Sequence, residues 1–520
     1  MARPLTGALA GVFVVGASLA PIRAQTTEDI LAPAGHIRFD VTSTFHLWER
    51  RFGLREENGA LIEESEPVGF DLEQQPLISL DTLTSRLRSA ASDPSLELVL
   101  GSARAEVAHE RTEVKFGVAL GLFDWLTIAL AVPLVETRTE PTFDFRALDD
   151  ANLGFSPSAA GVDAFRTSIA TSISQLRARR DETCPTGPEC GALIDLIARY
   201  EPFGRTLDSA YDSPVFVVAG TSASDALQAR LAGFRAEAEP YAPGAIPDSV
   251  PVASKRLDEA ELMYILTTHP SGPRVIAPFS RSRTPFQLGD VEVGAAFRLI
   301  EGAVRDSAPA SIRLRYRLGG RVLVRLATGS TDHPDVPLDL GRGDGSLDVE
   351  AAAFADIRIA RVGIQAEIRR GFPQATTRLR RVAPPDRVLA PGPARQVRWT
   401  PGAFWQLELV PRWHLTNELA LGALYRTVGK EADDYEDLTG PPTGSYPAGV
   451  LEVETEESVS ELGLGLAIST VARWREDQAP VPLELRAAVR KAVRGSGGAT
   501  PDGLRFEANG QVFVRLWGSR

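Results

Sequence analysis

Along the stretch "VKFGVALGLFDWLTIALAVPLVE", Val114 to Glu136, large apolar residues recur at every second position. Val114, Phe116, Val118 and Leu120 alternate with Lys115, Gly117, Ala119 and Gly121. After "LFDW", Leu126, Ile128, Leu130, Val132 and Leu134 alternate with Thr127, Ala129, Ala131 and Pro133. From Phe116 to Val135 the only charge is Asp124, so the run is long enough for a membrane helix. Its period is two, however. A strand places alternate residues on opposite faces, whereas a helix would spread these around its circumference. The pattern predicts a hairpin turning at Asp124, with one continuous apolar face.

The same alternation recurs through the chain. Ile37, Phe39, Val41, Phe45 and Leu47 share one parity, as do Val291, Val293, Phe297 and Leu299. So do Ile312, Leu314, Tyr316, Leu318, Val322, Val324 and Leu326, then Trp405, Leu407, Leu409 and Trp413, then Leu462, Leu464, Leu466 and Ile468. Collected, these predict twelve strands near 36–51, 98–120, 126–139, 287–300, 311–328, 346–359, 361–372, 401–415, 418–429, 456–470, 481–494 and 504–517. The first half of the second, "LELVLGSARAEVAHE", alternates poorly. Gaps after even strands are short (121–125, 301–310, near 360, 416–417, 471–480). Gaps after odd strands are long (52–97, 140–286, 329–345, 373–400, 430–455, 495–503). An outer-membrane barrel alternates short periplasmic turns with longer outside loops in this way. Trp125, Trp413 and Trp517 fall at the short-turn ends and Trp399 and Trp405 at the other, as expected of an interfacial girdle; ordinary core tryptophans are the alternative.

The segment 140–286 changes period. Val162, Phe165, Ile169, Ile173 and Leu176 are spaced by three and four, an amphipathic helix. "GALIDLIARY" and "SASDALQARLAGF" repeat that spacing, and "SKRLDEAELMYIL" suits a fourth, shorter helix. The expected fold class is therefore all-β: a transmembrane antiparallel β-barrel of about twelve strands carrying a long helical extracellular insertion. Residues 1–24 read as a secretory signal peptide, with Arg3, an apolar core near Leu5–Leu19 and a cut after Ala24. The barrel then occupies 25–520, with the helical loop at 140–286 inside it.

Composition agrees. Hydrophobic content is 43% and mean hydropathy is −0.07, too low for a helical membrane protein and suited to a barrel, where only alternate residues meet lipid. The net charge of −12 comes without a basic patch, which argues against nucleic-acid binding. Cys184 and Cys190, in "CPTGPEC", are expected to form a disulfide in an exported protein.

"GLFDWLTIALAVPLV", "LGDVEVGAAFRL" and "VLVRLATGSTDHPDVPLDLGRGDGSLDVEAAAF" come in an order that resembles an outer-membrane barrel family. It is the family named after a protein of the meta-pathway of phenol degradation. There a short turn with an acidic residue leads into a strand ending in Pro; a Gly-Asp strand follows, then a "TG" loop with a Gly-rich return. The resemblance covers roughly 100–140 and 285–360, and the helical insertion departs from the family pattern. It implies a barrel, and a channel for small, often hydrophobic, compounds.

No catalytic, cofactor or metal constellation emerges. The six His, at 36, 46, 109, 269, 333 and 414, have no paired ligand spacing. No Gly-x-Ser-x-Gly elbow occurs, and "GRGDGSLD" lacks the ligand series of a calcium loop. The informative charges lie in strands. Arg313, Arg315, Arg317, Arg321 and Arg325 share the parity opposite to the lipid-facing set. An arginine facing mid-bilayer lipid costs roughly 2–4 kcal/mol, so these are expected to face the lumen, with Asp290, Glu292, Arg298, Glu408 and Arg412. Asp348, Glu350 and Glu367 are further candidate partners. The ladder is either a structural set of ion pairs or a pore lining. Three functions follow: an outer-membrane channel for small, possibly hydrophobic, solutes; a binding or adhesion protein with the helical loop as its head; or an outer-membrane enzyme, which the missing constellation disfavours. The expected partners are the lipid bilayer, a small-molecule solute and the barrel-assembly machinery.

Overall fold

The computed structural model describes residues 30–517, apart from 58–59, 72–79, 147–148, 185–186, 188, 273–281, 306–311, 335–338, 384–393, 442–444, 476 and 498–499. The leader at 1–24 lies outside the described residues.

Twelve strands close into one antiparallel ring: β1 His36–Glu57, β2 Ser102–Phe123, β3 Leu126–Arg146, β4 Glu292–Arg305, β5 Ile312–Arg325, β6 Asp348–Ile359, β7 Val362–Pro373, β8 Phe404–His414, β9 Leu419–Lys430, β10 Glu457–Ser469, β11 Leu483–Ser496 and β12 Pro501–Arg515. β1 pairs with both β2 and β12, so no edge is left open. Closure is what a strand structure in lipid requires, because nothing there satisfies a free edge. Three further strands of the same sheet, Ala60–Pro67, Gly69–Asp71 and Ser282–Leu288, pair with β1, β2 and β3 beyond the ring.

The outward face is apolar, as alternation predicts. Phe39, Val118, Leu130, Val293, Val324, Val349 and Phe372 stand side by side on β1 to β7. β8 carries Trp405 and Trp413 at its two ends, both exposed; eight residues of strand separate them by roughly 26 Å, close to the height of a lipid-facing band. Trp125 and Trp517 are exposed at the short-turn end with Trp413. Trp399 departs from expectation. It is only 7% exposed, because it belongs to a small sheet (Thr376–Arg381, Ala394–Thr400, Asp434–Asp437) above the barrel. There its Nε1 donates to Asp433 at 3.1 Å.

Loop lengths follow the predicted alternation at most positions. Asp124 and Trp125 alone join β2 to β3. The connection from β11 to β12, expected to be long, is the exception: only four residues separate Ser496 from Pro501, and Gly497 follows β11 at φ 93°. β1, β2 and β3 are 22, 22 and 21 residues long, against 11 to 15 for the other strands. Their distal halves therefore rise above the membrane band, which accounts for the weak alternation of "LELVLGSARAEVAHE": no lipid sorts its faces.

On that extension sits a helical head. It comprises α1 Asp81–Ala91, α2 Ala159–Thr183, α3 Cys190–Ala210, α4 Ser222–Ala238 and α5 Glu259–Thr267. Val162, Phe165, Ile169 and Leu176 of α2 are buried, as their spacing predicts, against Leu196, Tyr200, Leu207, Leu227 and Phe234. The α4 cap is Thr221, with Ser224 in a capping box. α1, from the loop after β1, adds Leu83 and Leu87 to the same core and was not foreseen. Cys184 and Cys190 are disulfide-bonded between α2 and α3.

Candidate functional site

The side chains opposite the lipid face fill the barrel with charge. Arg315 and Arg317 both donate to Glu301, at 3.1 and 3.0 Å. Arg298 pairs with the same carboxylate. Arg321 pairs with Glu367. Arg325 donates to Asp348 at 2.7 Å and Glu350 at 2.6 Å and lies 3.7 Å from Glu292. Arg412 pairs with Asp356, and Glu408 lies 3.4 Å from Arg490. Asp290 is no partner of the β5 ladder: its carboxylate accepts from the backbone N–H of Gly329 at 2.8 Å and of Asp344 at 3.3 Å, tying two loop segments together. The Arg313 side chain lies outside the described residues.

Glu301 escaped the sequence reading for a physical reason. A register irregularity in the β4–β5 pairing turns both Leu299 and Ile300 outward. The predicted strand also stops at 300, short of the observed end at Arg305, and strict parity carried past it along "AAFRLIEG" would put Glu301 on the wrong face. Arg490 could have been found: in "LELRAAVRKAV", Glu484, Arg486 and Arg490 share one parity, and all three are buried.

The lumen divides into two unlike sides. On the side of β8 to β12, Glu461 draws in Arg426 at 3.1 Å, Arg505 at 3.8 Å and Arg490 at 3.9 Å. Arg490 also donates to Glu507 at 2.8 Å. Its contact with Glu408 joins β11 to β8 over the two strands between them, so this half of the lumen is bridged by ion pairs. On the other side, β3 turns small residues inward: Thr127, Ala129, Ala131 and Pro133. Space remains there. A cavity of about 240 Å³ lies towards the long loops, lined by Arg111, Lys115, Asp290, Glu292, Arg325 and Arg342 among others. Arg378, of the small sheet, is on its roof; it pairs with Asp332 and stacks over Trp399 at 4.6 Å. A second cavity of about 60 Å³ lies beneath it, against Arg38, Thr127, Ala129, Glu292, Arg321 and Arg369.

The lower cavity ends on the chain's own N-terminal segment. Ile30, Leu31 and Ala32 are buried inside the barrel, against Phe354 and Ala296. Ala32 N–H donates to Thr127 Oγ1 at 3.0 Å, and Arg38 donates to the Ile30 carbonyl at 3.1 Å. Gly121 is needed where this segment enters, because a Cβ there would lie 2.1 Å from the Pro33 carbonyl oxygen. No periodicity marks residues 30–33, so nothing in their pattern predicts the segment.

No family model matches the chain, and no curated protein does. Among solved structures it is similar to an outer-membrane channel from Pseudomonas putida F1, with 8% identity and a TM-score of 0.41 over 94% of this chain and 99% of that one. It is also similar to the toluene transporter TodX of P. putida (10% identity, TM-score 0.23, 94% and 92% covered). A third is a Pseudomonas aeruginosa FadL homologue (7% identity, TM-score 0.23, 92% and 89% covered). Likeness this distant adds nothing to what the strand pairing shows directly.

Proposed function

We propose that the chain is an outer-membrane channel for small solutes. The observation that carries this reading is the uneven lumen. One side is cross-linked by ion pairs, while the small-residue stripe of β3 leaves two stacked cavities between the roof and the N-terminal segment. A barrel serving only as an anchor needs no such reserved space. The lumen-lining set proposed from sequence, with Lys115, Arg369 and Arg490 added, supplies the walls. Small hydrophobic compounds stay within the class to be tested, since one similar protein is a toluene transporter.

The test is conductance of the full mature chain in a planar bilayer, beside a chain lacking residues 25–33. Small discrete currents from the first and larger ones from the second are expected. Silence from both favours the second reading, in which the barrel anchors the helical head. That reading draws on the head's separate apolar core.

A further inference from the structure

Lys115 and Glu292 are the two side chains common to the walls of both cavities. Lys115 Nζ donates to Glu292 Oε1 at 2.9 Å, and both side chains are buried. They come from β2 and β4, which are not neighbours. β3 runs between them, with Lys115 opposite Pro133 and Glu292 opposite Ala131 in the strand register. Two long side chains thus meet over a floor of small ones. The pair is the partition between the upper and lower spaces.

We propose that the Lys115–Glu292 ion pair is a latch across the solute path, and that it opens by exchange of partners. The proposal rests on the channel reading above. Removing a buried charge from its partner ordinarily strands it away from water. Here each partner has a second one in place. Lys115 lies 3.5 Å from Glu113, two residues back on its own strand. Glu292 lies 3.7 Å from Arg325, which stands directly opposite it in the β4–β5 register. Arg325 is itself fixed by Asp348 and Glu350. When Lys115 swings to Glu113 and Glu292 to Arg325, no charge is orphaned and the two cavities become one. Other pairs of the lumen differ in one of these respects. Arg490 is held by three carboxylates at once, and Arg321 does not border the upper cavity. The latch is thus a two-state element with both states ion-paired, the condition for a gate that moves without unfolding.

A reporter cysteine separates the latch from the conduction reading. Ala129→Cys places one free thiol in the lower cavity, since Cys184 and Cys190 are bonded to each other. A small thiosulfonate reagent is added to vesicles in which the long-loop end of the full mature chain faces outward. A closed state populated about 90% or more of the time makes labelling slow, and release of the latch should accelerate it about tenfold. Glu292→Gln and Glu292→Asp, which remove the charge or shorten its reach, are expected to do so. Lys115→Arg keeps both and is expected to label at the parent rate. Equal rates in all four proteins overturn the latch, as does acceleration by Lys115→Arg alone. Currents recorded on the same variants assign any failure. Faster labelling without current in any variant removes the channel reading and leaves the latch. Current with unchanged labelling removes the latch and leaves the channel.

Discussion

In the helical head, Tyr200, Phe216, Leu227 and Phe234 are buried against one another, while Arg166, Arg177, Arg199 and Arg235 form ion pairs at the surface. In the barrel the arrangement is reversed: Arg490 is 1% exposed and Leu464 is 68% exposed. One chain therefore carries two solutions to the same problem, and the difference lies in the solvent. Water around the head drives its apolar groups together. Lipid around the barrel accepts apolar groups and rejects charge, so the ring faces its leucines outward and must satisfy its arginines within. The two interiors also differ in what they tolerate. An apolar core answers to volume. A charged core answers to pairing, since one lost partner leaves a charge buried and alone.

The largest difference is expected from Arg490→Met. It deprives Glu408 and Glu507 of a shared partner and should cost about 3–5 kcal/mol, seen as earlier loss of the heat-modifiable barrel band in urea. The head should be unaffected by limited proteolysis. The converse is Leu227→Ala at a fully buried position of α4. It should cost about 2–5 kcal/mol and expose the head to protease while the barrel band persists. If both domains fail together in either variant, they share one cooperative unit and the contrast does not hold.

A smaller effect is expected on the lipid face. Val322→Arg, between the inward Arg321 and Leu323, should destabilise the inserted barrel by roughly 2–4 kcal/mol. An unchanged urea midpoint would mean that Val322 does not meet lipid. The smallest is a matter of pH. Burial of the Tyr200 phenol in the head pushes it up to about 12, and Tyr211 is raised by burial too. The protonated phenol is the form the folded head prefers. Its contribution is complete below the unfolded value of about 10 and is lost as pH rises through about 12. Tyrosinate absorbance should therefore appear together with loss of helical circular dichroism, while the strand signal remains.

Much of this contrast could be read in the sequence because lipid and water impose different periods. Period two in "VKFGVALGL" and period three to four in "AGVDAFRTSIATSISQL" each mark one face against one solvent. Legibility ended where a local event broke the period or where no period was needed. The predicted strand stopped at 300, and the irregularity at Leu299 and Ile300 would have hidden Glu301 even from a longer one. The aqueous sheet around Val397 buried a tryptophan expected in the girdle. The distal halves of β1 and β2 lie above the lipid and alternate weakly. The lumen segment at Ile30–Pro33 has no regular structure to leave a trace. The alternation of faces was visible residue by residue, but the pairing of the charges was not. Which carboxylate meets which arginine depends on the register between strands, and a single chain does not print that.

The claim beneath all of this is that β5 presents its arginines inward and its apolar residues to lipid. Spin labels placed singly at residues 314 to 326 in lipid vesicles test it directly, through their relative access to oxygen and to a water-soluble nickel complex. Oxygen should be favoured at 318, 322 and 324, and disfavoured at 317, 321 and 325, in an unbroken alternation. A flat profile, or one repeating every three to four residues, would contradict the barrel and with it the charged lumen.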